Sequence, residues 1–67
     1  MKEPRFAIID DFDIIVFESD DLIELYEFYT LMGGKLAFRG IYDYAEFKYL
    51  DEVDIIDLIG VQIHSED

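Results

Sequence analysis

Two long segments of this chain carry only negative charge. Between Phe6 and Gly34 there are eight carboxylates and no lysine or arginine, and between Tyr49 and Asp67 there are six more carboxylates, again with no base. The whole sequence has 17 acidic and 5 basic residues, a formal net charge of −12 on 67 residues. Any compact fold must therefore form against strong repulsion between its own charges.

The apolar content indicates that the chain nevertheless folds. Hydrophobic residues make up 52% of the sequence and aromatic residues 16%, whereas acidic disordered segments are poor in both. We expect one domain spanning residues 1–67. No cysteine is present, so no disulfide supports a core this small. The six Phe and five Tyr exceed what one such domain hides, which predicts a homodimer.

Hydrophobic patterns in the first half predict two strands. Arg5–Ile9 is short, apolar and β-prone, and Phe12–Glu18 is strongly β-branched and aromatic. The second segment is apolar almost throughout, which predicts a strand buried on much of both faces. Asp10-Asp11 has turn chemistry and separates the two segments, which the pattern fits either as a hairpin or as one long bent strand.

The next segment has the pattern of an amphipathic helix. Ser19 or Asp20 is a suitable N-cap, and Gly33-Gly34 is a suitable stop. The predicted buried face consists of apolar residues at helical spacing, namely Leu22, Leu25, Tyr26, Tyr29 and Met32. Acidic residues occupy the other side, namely Asp20, Asp21, Glu24 and Glu27.

The second half resumes strand character. Lys35–Tyr42 predicts a strand, with Gly40 as a candidate bulge. Tyr44–Leu50 alternates, which favours a strand, and a short helix capped by Asp43 is the alternative. Val53–His64 repeats at period two and predicts a final strand. The expected fold is α+β: a small, mostly antiparallel sheet with one amphipathic helix packed on it.

Residues suited to catalysis are few. Apart from tyrosine, the side-chain hydroxyls belong to Ser19, Thr30 and Ser65, and the single histidine is His64. A nucleophile, its base and an orienting group cannot be combined from these residues. We therefore expect a protein that is not an enzyme.

A metal or cofactor is not expected either. Asp10-Asp11-Phe12-Asp13 brings three carboxylates together, and oxygen ligands suit Ca²⁺ or Mg²⁺. The central glycine and terminal glutamate of a calcium-binding loop are missing.

No apolar stretch approaches the roughly 20 residues that cross a bilayer, and the acidity disfavours anionic membranes and direct binding of nucleic acid. A soluble cytoplasmic protein is expected.

The acidic residues have a spacing close to that of successive phosphates along a nucleic-acid strand. Carboxylates two residues apart on a strand repeat at about 6.6–6.8 Å, and those four apart on a helix repeat at about 6 Å. A basic surface built for nucleic acid accepts such rows as a substitute. The predicted partner-binding residues lie in the segment without bases: Asp11, Asp13, Glu18, Asp20, Glu24 and Glu27.

In these properties the chain resembles small, very acidic phage proteins that mimic DNA and block a host DNA-binding protein. Locally, Glu18-Ser19 at the end of a strand and before an acidic helix is similar to the phage uracil-DNA glycosylase inhibitors, in which a Glu-Ser engages the DNA-binding cleft of the enzyme. Other members of the class target histone-like HU proteins or the sliding clamp.

The resemblance implies an inhibitor that acts in the host cytoplasm and competes with DNA for a basic protein. An HU-like protein, a uracil-DNA glycosylase and the sliding clamp are the candidate partners. The alternative is an acidic antitoxin-like or regulatory interaction module, whose charge serves mainly solubility.

Overall fold

The fold is α+β, as predicted, but it has two helices instead of one. The computed structural model describes residues 3–64, with His64 described by its backbone alone. The four strands form one antiparallel sheet in the order β2–β1–β3–β4. In chain order the elements are β1 (Phe6–Ile9), β2 (Ile15–Ser19), α1 (Leu22–Leu31), a 3-10 turn (Gly34–Leu36), β3 (Gly40–Asp43), β4 (Lys48–Leu50) and α2 (Glu52–His64).

One face of the sheet packs against the helices and forms the core. The register places Ile8 opposite Ile41, and Ile41 opposite Leu50, so these three side chains form a row across β1, β3 and β4. Both helices contribute to the same cluster. The buried core consists of Phe6, Ile8, Leu22, Leu25, Tyr29, Phe38, Ile41, Leu50 and Ile55. Because both helices lie on this side, the described residues leave the other face of the sheet without a covering layer.

The N-terminus of α1 is capped by Asp21, not by Ser19 or Asp20 as predicted. One carboxylate oxygen of Asp21 accepts the backbone N–H groups of Ile23 and Glu24, at 3.1 and 3.3 Å. Ser19 binds the capping residue itself, since its hydroxyl accepts the backbone N–H of Asp21 at 2.9 Å. The two residues together satisfy donors that a helix end leaves without a partner.

The side chain of Gln62, on α2, completes this end of α1. Its Oε1 accepts the N–H of Leu22 at 3.2 Å, and its Nε2 donates to Oδ1 of Asp21 at 2.6 Å. The two helices are therefore joined where α1 begins and α2 ends.

The C-terminus of α1 agrees with the predicted stop. Gly33 and Gly34 both have positive φ, at 117° and 57°, which glycine adopts without the steric cost other residues meet. Of the predicted buried face, Leu22, Leu25 and Tyr29 are buried and Tyr26 is half-buried. Met32 is exposed, because the helix ends at Leu31 and the glycines turn the chain away from the core.

The prediction of a doubly buried strand at Phe12–Glu18 was wrong. The strand is Ile15–Ser19, and it lies at an edge of the sheet with one neighbour. Phe17 reaches the core, where its ring stacks on Phe28 with centroids 4.9 Å apart. The other large apolar side chains of the segment are exposed, in the turn before the strand or on this edge strand: Phe12, Ile14, Ile15 and Val16.

The segment Lys35–Tyr42 contains less strand than predicted. It opens with a 3-10 turn, and β3 starts only at Gly40. Gly40 is not a bulge, because it pairs regularly with Ile9. A Cβ at Gly40 would lie 3.3 Å from the Tyr49 ring, so close packing accounts for the glycine. The irregularity of the sheet lies between β1 and β2, at Ile8 and Ile9.

Neither prediction for Tyr44–Leu50 holds over its whole length. Residues 44–47 form a turn, and only Lys48–Leu50 is a strand. Asp43 does accept the N–H of Ala45, at 2.9 Å, but no helix follows. The local cap therefore stabilises a turn between two strands.

The predicted final strand at Val53–His64 is a helix, α2. Asp51 caps it by accepting the N–H of Asp54 at 2.8 Å. Ile55, Leu58 and Ile59, at helical spacing, face the core. The two edge strands of the sheet are β2 and β4. Neither helix within residues 3–64 is both long enough and apolar enough to cross a membrane.

Candidate functional site

The six predicted partner-binding acids do not form one row. The register places Glu18 opposite Ala7, and Ala7 opposite Tyr42, so Glu18 belongs to the uncovered face of the sheet. Glu24 and Glu27 are exposed on α1, on the other side of the sheet. The fold therefore divides the predicted site between two surfaces.

Asp11 and Asp13 lie in the turn between β1 and β2, so the spacing expected for a strand does not apply to them. Asp13 has a φ of 62°. Its carboxylate forms an ion pair with Arg39, and the Nη2 group of Arg39 lies 3.4 Å from the backbone oxygen of Asp11. Arg39, the residue before β3, thus brings a positive charge to a segment that has no lysine or arginine of its own.

Asp20 has a structural contact near the start of β1. Its carboxylate accepts the backbone N–H of Arg5 at 2.9 Å. The Arg5 side chain in turn forms an ion pair with Asp43, a fully buried carboxylate. Burial alone would raise the pKa of Asp43, but hydrogen bonds from Arg5 and Ala45 and the charge of Arg5 lower it overall. Asp43 is therefore an ionised group of the core.

Most of the described positive charge is used inside the fold. Of the four basic residues within 3–64, three form ion pairs: Arg5 with Asp43, Arg39 with Asp13, and Lys48 with Asp54 at 3.5 Å. Lys35 is exposed in the 3-10 turn. Carboxylates therefore dominate the surface that the described residues present to a partner.

The α2 region adds acids that the sequence-based site omitted. Asp51, Glu52 and Asp57 are exposed at or after the start of this helix. The sequence already showed that the segment after Tyr49 is rich in acids. Because the segment was predicted to be a strand, these acids were not assigned to a helix surface. The N-terminal end of a helix favours negative charge, so Glu52 also suits its position.

The uncovered sheet face carries three tyrosines that the sequence-based site also omitted. Tyr42 packs edge-on against Tyr44 and Tyr49, with ring centroids 5.5 and 5.2 Å away. The Tyr44 hydroxyl donates to the Glu18 carboxylate at 3.3 Å. Burial, followed by the charge of Glu18, raises the pKa of Tyr44. We call Tyr42, Tyr44 and Tyr49 the tyrosine row.

The outer side of α2 carries a row of exposed apolar residues beside Asp57. Val53, Ile56 and Ile63 are exposed by 66%, 63% and 54%. With Gly60 they follow the spacing i, i+3, i+7 and i+10, which is one face of a helix. A Cβ at Gly60 would meet nothing within 4 Å. We call these four residues the α2 stripe.

Comparisons with protein families, with curated proteins and with solved structures find no match. Within the described residues, no group of three or more acidic or histidine side chains is placed to hold a metal ion.

Proposed function

We propose that this protein binds the nucleic-acid-binding surface of a basic host protein and inhibits that protein by competing with DNA. The observation that supports this function is the charge of −12, together with the internal pairing of three of the four described bases. Solubility accounts for a net charge of about 2–8 in magnitude on a small domain. The remaining charge destabilises the folded state, so we attribute it to binding a partner.

The binding energy in this proposal is spread over many carboxylates. An exposed ion pair contributes about 0–1 kcal/mol, so no single acid dominates. A basic groove that meets these carboxylates releases the anions that neutralise it, and the affinity falls steeply as salt rises. Glu24 and Glu27 on α1 are the predicted site residues best placed for this role, because both are exposed on a regular helix.

The partner class remains one of three: an HU-like protein, a uracil-DNA glycosylase or the sliding clamp. Glu18-Ser19 does end a strand that is followed by an acidic helix, the arrangement on which the resemblance to glycosylase inhibitors rests. In this chain, however, Ser19 contacts Asp21 and Glu18 contacts Tyr44. Glu18 is the more exposed of the two. We propose that the protein acts as a homodimer in the cytoplasm of the host cell.

The test begins with immobilised protein, a bacterial lysate and duplex DNA as the eluent. A captured DNA-binding protein should elute with duplex, and labelled duplex bound to that protein should be released by the wild type. The Glu24→Gln/Glu27→Gln variant should release less duplex while remaining folded. The Glu52→Gln/Asp57→Asn variant, which removes the same charge from α2, reports whether the loss is specific to α1. If wild type and duplex occupy the captured protein together, competition with DNA is wrong.

The α2 stripe supports the second candidate function, an antitoxin-like or regulatory interaction module. A regulatory partner that covers Val53, Ile56 and Ile63 would bind mainly through burial of apolar surface. Such binding should persist at about 500 mM NaCl, where exposed charges are screened beyond roughly 4 Å. Capture that survives this salt and resists elution by duplex would favour the second function.

A further inference from the structure

A cleft of about 600 Å³ lies at the Tyr44 end of the tyrosine row. Its lining combines two carboxylates with two aromatic rings, and no described lysine or arginine contributes to it. The lining residues are Glu3, Pro4, Glu18, Tyr44 and Phe47. This composition suits a cation that is also planar and weakly hydrated.

Phe47 is the residue of this cleft that folding does not explain. Its side chain is 80% exposed, so it contributes little to the core. It also has a φ of 55°, in the left-handed region that bulky residues rarely adopt. Asn or Gly would be the usual choice at the end of such a turn. Backbone strain of this kind concentrates at binding sites, where the side chain is kept for its function.

The protein holds Arg5 by combining an aromatic ring with a carboxylate. Arg5 lies with its Cζ 4.9 Å from the ring centroid of Phe6 while it is paired with Asp43. The cleft offers the same combination without an arginine of its own among the described residues.

We propose that this cleft binds an arginine side chain of the basic partner. Its guanidinium group lies against the rings of Tyr44 and Phe47 and pairs with the carboxylates of Glu18 and Glu3. A guanidinium group stacks on aromatic faces and hydrogen-bonds to carboxylates in one plane, whereas a lysine ammonium group acts mainly as a point charge. This inference rests on the proposed function and adds to it a preference for arginine over lysine.

The probes are hexa-arginine and hexa-lysine peptides, which carry equal charge. Titration calorimetry at about 150 mM NaCl, near physiological ionic strength, measures both affinities. Hexa-arginine should bind roughly two- to fivefold more tightly, as expected for exposed cation–π contacts. Its addition should shift the NMR signals of the Phe47 and Tyr44 rings.

Matched variants locate the contact. Phe47→Asn should reduce the affinity for hexa-arginine to that for hexa-lysine. Phe12→Asn removes another phenylalanine, 83% exposed and outside the cleft, and should preserve the preference for arginine. Glu18→Gln and Glu24→Gln remove the same charge from the two sides of the sheet. Glu18→Gln should weaken hexa-arginine binding more than Glu24→Gln does.

The outcomes separate this inference from the function on which it rests. Equal binding of the two peptides, without shifts of the ring signals, would overturn the arginine cleft and leave the acidic competitor intact. A preference for arginine that survives Phe47→Asn would also overturn it. Absence of binding of either peptide to the folded wild type would contradict both proposals.

Discussion

Arg5 and Asp43 are joined by two parallel hydrogen bonds, from Nε to Oδ1 and from Nη2 to Oδ2, each 3.0 Å long. The Asp43 side chain is fully buried and the Arg5 side chain is 40% exposed. The pair ties the residue before β1 to the end of β3, two neighbouring strands of the sheet. One of the many acids of this chain thus serves the fold rather than a partner.

The unequal burial of this pair predicts unequal effects of removing either partner. Arg5→Met leaves the Asp43 charge buried without its counterion and should destabilise the protein by about 3–5 kcal/mol. Asp43→Asn leaves an arginine that water reaches, and should cost about 1–3 kcal/mol. Urea denaturation of both variants measures the difference. Equal losses, or a larger loss for Asp43→Asn, would contradict this account of the pair.

Strong acid should destabilise the protein through two carboxylates. Asp43 has a lowered pKa for the reasons given above, and a hydrogen bond from Gln62, followed by one from the N–H of Glu24, lowers the pKa of Asp21. A carboxyl group whose pKa is lower in the folded state contributes stability above its ordinary pKa and loses it as the pH falls through the folded value. The melting temperature should therefore fall below about pH 4. Asp43→Asn should show a shallower fall, and an unchanged slope would count against the assignment.

Salt should stabilise the fold. Repulsion among 17 acids on a 67-residue chain is relieved by screening, and mild acidification toward about pH 5 acts in the same direction. The melting temperature should be higher at about 500 mM than at about 20 mM NaCl. A decrease would mean that the ion pairs of Arg39 and Lys48 outweigh the general repulsion.

Phe47→Asn should stabilise the protein although it removes an aromatic residue. The substitution relieves a left-handed backbone conformation at a cost of little buried surface, and should gain about 1 kcal/mol. Phe12→Asn, at a similarly exposed position, is the control and should change stability by less than about 0.5 kcal/mol. Thermal and urea denaturation of both variants measure the effect. A clear loss of stability in Phe47→Asn would show that the ring supports the turn.

The protein should be a homodimer whose interface includes the α2 stripe. Sedimentation equilibrium at micromolar concentration should give twice the chain mass of 7.9 kDa. Ile56→Glu places a charge in the stripe and should shift the protein toward the monomer. Leu31→Glu, at a position 84% exposed at the end of α1, is the matched control. One species of a single chain's mass at every dilution would exclude the dimer.

The two helices differ in how clearly the sequence encodes them. In α1 the acids separate the apolar positions, so only a helical period fits and the helix was predicted. In α2 apolar residues stand at the odd positions 53, 55, 59, 61 and 63 as well as at 56 and 58, so the run from Val53 to Ile63 fits period two as well as period 3.6. Its β-branched residues favour a strand, and packing of Ile55 on the core overrides that preference. The cap at Asp51 was the local signal for the helix.

The acidic character of the site followed from composition, but its arrangement did not. Arg39 meets Asp13 and Tyr44 meets Glu18, each across 26 residues of sequence. Such contacts depend on strand order and register, which the local pattern does not encode. The tyrosine row was missed for the same reason, since Tyr42 and Tyr49 become neighbours only when β3 pairs with β4.

The contact of Gln62 with the start of α1 has a consequence for the order in which the chain folds during its synthesis. The amide that completes the α1 cap is made 40 residues after Leu22. A nascent chain that has released β1, β2 and α1 from the ribosome still lacks both that amide and the apolar face of α2. We therefore expect the sheet and the first helix to become stable only when the second helix is present, so that the fold forms in one late, cooperative step rather than growing from its N-terminus.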